Sequence, residues 1–296
     1  MNMRQQFVKT VESQLALNDK LVLLLGDIGV FGFRNAFKQF PDRVFNIGIL
    51  EQATVSLAAG LAKTGLIPIV HTIAPFLIER SLEQIKIDFG YQHLGGNFVS
   101  VGASYDYAAL GCTHHCPADA GLLQNIPGME IALPGTCAEF DTLFQESYGN
   151  GQATYYRLSE RENSSSQPVK FGQAAILKKG ALATVIAVGP VLDHVLPAIG
   201  GLDVSVIYYT TIAPFDGQTL RENLAPSGKV LLIEPFYSGT LAWEVCQAAR
   251  PKLITIDSVG VPREFLNHYG QAHEHDEAIG LTSKNIRGRL EVLING

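Results

Sequence analysis

Three short stretches carry side chains that could do chemistry together. The first is Phe45-Asn-Ile-Gly-Ile-Leu-Glu51-Gln52, which puts a carboxylate at a predicted helix start, directly after a strand end. Helix N-termini favour anions, so a first-turn glutamate that only stabilises its own helix is one account of Glu51. The small residues Gly48, Ala53, Ala58, Ala59 and Gly60 allow another, in which a flat ligand approaches the carboxyl group closely. The second stretch is Ala74-Pro-Phe76-Leu-Ile-Glu-Arg80-Ser-Leu-Glu-Gln84. Phe76 would sit at the carboxyl edge of a sheet, where α/β proteins bind ligands; packing into the core is the alternative. The third is Gly111-Cys-Thr113-His114-His115. Paired histidines offer acid, base and hydrogen-bond donors near neutral pH if their loop reaches the sheet edge, and are a surface feature if it does not.

Two other clusters look like metal ligands. Cys112-Thr-His-His-Cys116 has thiolates and imidazoles but no second ligand pair at knuckle spacing, and reads as coincidence. His273-Glu-His275-Asp276 reads as adjacent polar residues in a surface loop.

The elements that must position these residues follow from the hydropathy pattern. Short apolar runs at 22–25, 44–47, 67–72, 98–101, 129–133 and 153–157 alternate with helical stretches at 51–64 and 78–89. Such alternation predicts a mainly parallel sheet with helices on both faces. Glu162-Asn-Ser-Ser-Ser-Gln-Pro168 is polar and serine-rich and reads as a linker. Beyond it the alternation restarts, with strands at 182–188, 204–208, 230–234 and 253–256. The expected architecture is therefore α/β in two domains, 1–163 and 170–296, each with its own core.

The 296 residues are 47% apolar and 17% charged, as expected for a globular α/β protein with much of its sheet buried. A net charge of −6 without basic clusters leaves no footprint for nucleic acid. No apolar run reaches about 18 residues, so no membrane span is expected. The first residues read as a polar helix rather than a signal or transit segment, and four cysteines suit reduced thiols in a cytoplasm.

The order of motifs resembles one family. Strand–Gly-Ile-x-Glu-Gln, strand–Phe-Leu-x-x-Arg-x-x-x-Gln, Gly-x-Thr-His-His and Ile126-Pro-Gly-Met129 are similar to the pyrimidine-binding domain of transketolases and deoxyxylulose-phosphate synthases. Pro41-Asp-Arg43, Thr211-Ile-Ala-Pro-Phe-Asp216, Ile233-Glu234 and Gly260-Val-Pro-Arg-Glu-Phe265 extend the similarity over nearly the whole chain. The resemblance implies a thiamine diphosphate enzyme that moves a two-carbon ketol unit from a ketose to an aldehyde sugar. Glu51 would hydrogen-bond N1′ of the aminopyrimidine. That role calls for a carboxyl group that holds its proton more tightly than in water, which an apolar helix start can provide. Phe76 would stack on the pyrimidine, His114 would handle substrate protons, and Asp27 would lie near the cofactor. Arg157 and Arg161 fall where the family places an arginine for a sugar phosphate, with a surface salt bridge as the alternative. The C-terminal domain is assigned no site residue.

The family's diphosphate-binding domain, with its Gly-Asp-Gly motif and downstream Asn for Mg²⁺, has only a partial echo in Gly26-Asp27-Ile28-Gly29. A separate N-terminal subunit carrying that domain is implied, with α₂β₂ as the natural closed assembly. Leu110 stands where the family usually has an acidic residue, and Phe31 where it usually has a hydroxyl-binding one. Both changes make the pocket more apolar and point away from the usual pentose phosphates, toward an unphosphorylated, deoxy or otherwise modified sugar. Tyr105 and Tyr107 are candidates to line that pocket. Alternatives are a 2-oxo acid dehydrogenase β subunit, a deoxyxylulose-phosphate synthase-like carboligase, and a scaffold or regulatory subunit. The first has its glutamate in a different motif and normally lacks Thr-His-His.

Overall fold

A computed structural model describes residues 1–296. Its strands are β1 (Leu21–Leu25), β2 (Val44–Asn46), β3 (Ile67–Ile73), β4 (Gly96–Val101), β5 (Glu130–Ala132), β6 (Ala153–Arg157), β7 (Ala175–Lys178), β8 (Ala183–Val188), β9 (Val204–Tyr209), β10 (Thr211–Ala213), β11 (Lys229–Tyr237) and β12 (Thr255–Val261). One sheet has the order β10-β5-β6-β4-β3-β1-β2, the other β12-β11-β8-β9-β7. All pairings are parallel except β10 with β5 and β7 with β9. Strands such as Leu21–Leu25 are apolar throughout because helices cover both faces, and all five of its residues are buried.

The two halves are not separate bodies. β10 comes from beyond the expected linker, yet it pairs with β5 as the edge of the first sheet. One apolar cluster of 31 buried residues joins Ile131, Leu133 and Tyr155 to Ile186, Ile207, Tyr209 and Phe236. Clusters of 19 and 18 residues fill the outer side of each sheet. The polar stretch before Pro168 is fixed to this body by Glu139, whose carboxylate accepts from the backbone N–H of Gly135 and Gln167 and from the Tyr208 hydroxyl. Each half thus keeps a core of its own on the outer side of its sheet, and a third core is shared between them.

The segment after β3, expected as a regular helix, is broken. It forms π-helical turns at Pro75–Glu79 and Ile85–Gly90 around a short α-turn at Leu82–Gln84. The cluster His273-Glu-His275-Asp276 is not a surface loop. It lies in the helix Ala272–Ile279, which turns His275 and Asp276 into the body of the protein. There the Asp276 carboxylate accepts from the Tyr105 hydroxyl at 2.5 Å and from Arg161 Nη1 at 2.5 and 2.7 Å. His275 packs 5.4 Å from His115 and 4.3 Å from His268, ring centre to ring centre. No helix is long and apolar enough to cross a membrane.

Burial holds several imidazoles neutral. His71, within β3, is pushed down to about 4; its Nδ1–H donates to the Val99 carbonyl oxygen at 2.8 Å. Burial and the neighbouring histidines push His115 down to about 4, and burial also lowers His275. At His71 and His115 an unfolded chain takes up protons near pH 6.5, whereas the folded chain resists them until about pH 4. Their stabilisation is present above pH 6.5 and is lost as the pH falls through that interval. The His71 and His115 ring resonances of the folded chain are therefore expected to stay at their neutral positions between pH 7 and pH 5 in NMR titrations; titration of either ring near pH 6.5 would contradict the burial of neutral imidazoles.

Candidate functional site

The chemistry-bearing residues meet at the carboxyl edge of the first sheet. β1 is followed directly by Gly26-Asp27, with Asp27 at φ +67°. Aspartate tolerates this left-handed conformation because its short polar side chain can bond locally. Asn46, the last residue of β2, supplies the bonds. Its Oδ1 accepts from the N–H of Asp27 at 2.9 Å and of Gly48 at 3.1 Å, and its Nδ2 donates to the Asp27 carboxylate at 3.3 Å. Asn46 thus fixes both the Asp27 turn and the approach to Glu51.

Glu51 opens the helix Glu51–Lys63 and is only 3% exposed. Its carboxylate accepts from Arg80 Nη1 at 2.8 Å. The same guanidinium lies over the Phe76 ring, with its carbon 4.4 Å from the ring centre. Phe76 stands on the π-turn directly after β3, half-buried, and meets the His114 ring edge-on at 5.3 Å. The Tyr107 ring lies 6.5 Å from His114, and the Thr113 hydroxyl is 3.0 Å from His114 Nδ1. Glu51, Phe76 and His114 therefore form one constellation, with Arg80 joining Glu51 to Phe76 and Phe76 meeting His114.

The histidine loop between β4 and the helix Asp119–Gln124 has only two short 3₁₀ turns of regular structure. Two glycines let it fold this tightly. A Cβ on Gly102 would lie 2.4 Å from the Tyr107 ring, and one on Gly111 would lie 2.5 Å from the Tyr269 ring; both residues have positive φ. Asp27 lies on a cleft of about 400 Å³ that Arg4, Phe31 and His71 also line and that Glu51, Phe76 and His114 do not.

The two arginines expected near a substrate phosphate are committed elsewhere. Arg157 is buried, and its Nε donates to Asp119 at 2.7 Å while its Nη2 donates to the Ser104 hydroxyl at 2.7 Å. Both of those nitrogens are therefore bound within the protein. Arg161 is held by Asp276 and stacks on the Tyr105 ring at 4.8 Å. Tyr105 itself is buried with its hydroxyl on Asp276, at the junction between the two halves. Arg4, which sequence reading overlooked, is exposed on the cleft and makes no ion pair. Its place in a polar N-terminal helix gave no signal of this. Phe31 and Leu110 are 81% and 51% exposed at the rim of the same edge.

Residues 1–164 match the pyrimidine-binding domain of transketolase, and residues 172–286 match the transketolase C-terminal domain. The chain belongs to the transketolase family. It is 37% identical to an uncharacterized 33.6 kDa protein in the fasciation locus of Rhodococcoides fascians, over 96% of this chain and 92% of that protein. It is 29% identical to an apulose-4-phosphate transketolase subunit of Phocaeicola vulgatus, over 96% and 94% of the two chains. Among solved structures it resembles a split-gene transketolase in an inactive β4 tetramer, with a TM-score of 0.87, 25% identity and coverage of 100% and 98%. The transketolase family implies thiamine diphosphate. The site fits its pyrimidine half, because a buried carboxylate and a half-buried aromatic ring face one another across a single guanidinium. No group of three or more histidine, cysteine, aspartate or glutamate side chains is placed to hold a metal ion.

The buried Arg157–Asp119 pair gives a test of the reassignment. Arg157→Met leaves the Asp119 carboxylate buried without a countercharge, at a cost of about 3–5 kcal/mol. Urea unfolding should show that loss, with much of it recovered in the double variant Arg157→Met, Asp119→Asn. An unchanged midpoint in the single variant would return Arg157 to the free cations.

Proposed function

We propose that this chain is the C-terminal subunit of a split transketolase and supplies the pyrimidine side of a thiamine diphosphate site. The observation that carries this reading is the convergence of Glu51, Phe76 and His114 at one sheet edge. A partner subunit with the Gly-Asp-Gly motif and downstream Asn would hold Mg²⁺ and the diphosphate. Closed two-fold symmetry favours α₂β₂, and the setting is carbohydrate metabolism in the cytoplasm.

Bound there, thiamine diphosphate supplies the electron sink for breaking and making a bond beside a ketose carbonyl. Glu51 holds N1′ of the pyrimidine by a hydrogen bond from its buried helix start. Phe76 covers one face of the ring and excludes water from it. His114 stands beside that face with Thr113 on its Nδ1, placed to exchange protons with substrate oxygens. Asp27 borders the cofactor from the β1 turn. Arg4 is the guanidinium free to meet a substrate anion, in place of Arg157 and Arg161.

Phe31 and Leu110 offer apolar surface where a polyol chain would seek hydrogen bonds, so the substrate is a deoxy or otherwise modified ketose. The Phocaeicola vulgatus relative, whose name specifies apulose 4-phosphate, is a transketolase subunit named for a substrate other than xylulose 5-phosphate.

In the assembled complex, Glu51→Gln is expected to lower kcat by about 10²–10⁴-fold while the circular dichroism of the chain stays unchanged. Full activity in that variant would end the catalytic assignment. Steady-state assays with xylulose 5-phosphate and ribose 5-phosphate are expected to show poor turnover. Ordinary transketolase efficiency with that pair would contradict the apolar-pocket argument.

A further inference from the structure

Arg80 makes both of the contacts that the proposed site would offer to a pyrimidine ring. Its planar guanidinium lies on the face of Phe76, 4.4 Å from the ring centre, and donates to the buried Glu51 carboxylate at 2.8 Å. Glu51 is its one hydrogen-bonded partner through the side chain. A planar group cannot share that face and that carboxylate oxygen with a second planar group. We infer that Arg80 holds the pyrimidine seat in the free chain and must swing out before the cofactor's ring can enter. The inference rests on the proposed role of Glu51 and Phe76.

The local backbone suits such a movement. Arg80 sits at the break between the π-turn Pro75–Glu79 and the short α-turn Leu82–Gln84, and its own N–H closes the π-turn on the Pro75 carbonyl at 3.1 Å. Single π-turns of this kind occur often at functional sites. The side chain is 38% exposed, so it can leave toward solvent by rotating its own torsions, without unfolding the turn. While it stays, it neutralises a carboxylate that would otherwise be buried alone, which stabilises the local fold.

A ligand that must displace a resident group binds more weakly by the fraction of time the seat is free. Thiamine is the probe, added to the full chain and followed by ligand-observed NMR, with Arg80→Ala, Glu51→Gln and Phe76→Ala compared against the wild type. Arg80→Ala is expected to bind thiamine at least about tenfold more tightly than the wild type, corresponding to a seat filled about nine-tenths of the time. Adding Glu51→Gln or Phe76→Ala to Arg80→Ala should abolish the gain. Equal or weaker binding by Arg80→Ala, with wild-type binding still dependent on Glu51 and Phe76, would overturn the seat-holder role and leave the proposed site intact. Binding that is absent throughout, or indifferent to Glu51 and Phe76, would overturn the site itself and the inference with it.

Discussion

Two guanidinium groups, at the end of β6 and just beyond it, hold the histidine loop in place. The loop carries His114 and His115 but has almost no ladder hydrogen bonds of its own, so side chains must position it. Arg157 joins Asp119 at the far end of the loop to Ser104 near its start. Arg161 clasps Tyr105 from the loop and Asp276 from the helix Ala272–Ile279. Ser104 in turn donates to the Pro235 carbonyl in the second half of the chain. Buried charges of this kind are costly unless fully paired, and here the pairing spans the loop, the sheet and both halves. Positioning His114 therefore depends on the two domains being docked.

The same dependence explains why the domains share a core. β10 completes the first sheet, and the 31-residue cluster runs through the junction. The C-terminal domain thus reaches the histidine loop through Asp276 and Pro235. At the sheet edge, buried Glu51 and the half-buried Phe76 and His114 accompany exposed Phe31, Ile49, Leu50 and Leu110. Apolar surface grouped around polar chemistry is the mark of a surface made to be covered.

Much of this was legible in the sequence, because buried parallel strands read as apolar runs. Residues 153–157 were bounded correctly, and Glu51 fell at its helix start as expected. The short edge strands β7 and β10 escaped notice, since three or four residues paired at an edge leave little hydropathy signal. The π-turns after β3 were hidden because their apolar spacing resembles that of a helix. His273-Glu-His275-Asp276 misled for a different reason: polar residues read as exposed, and nothing local reveals that Tyr105 and Arg161 wait 115 or more residues away to pair with Asp276. Arg157 and Arg161 misled likewise, because a sequence shows a charge but not its partner.

The central claim is that this chain carries half of a thiamine diphosphate site. The most direct measurement is purification of the tagged chain from its own cells under gentle conditions, followed by native mass spectrometry and peptide identification of what accompanies it. The expected result is a stoichiometric companion subunit carrying a Gly-Asp-Gly motif with a downstream Asn. A chain that emerges alone, binds thiamine diphosphate and turns over ketoses would contradict it.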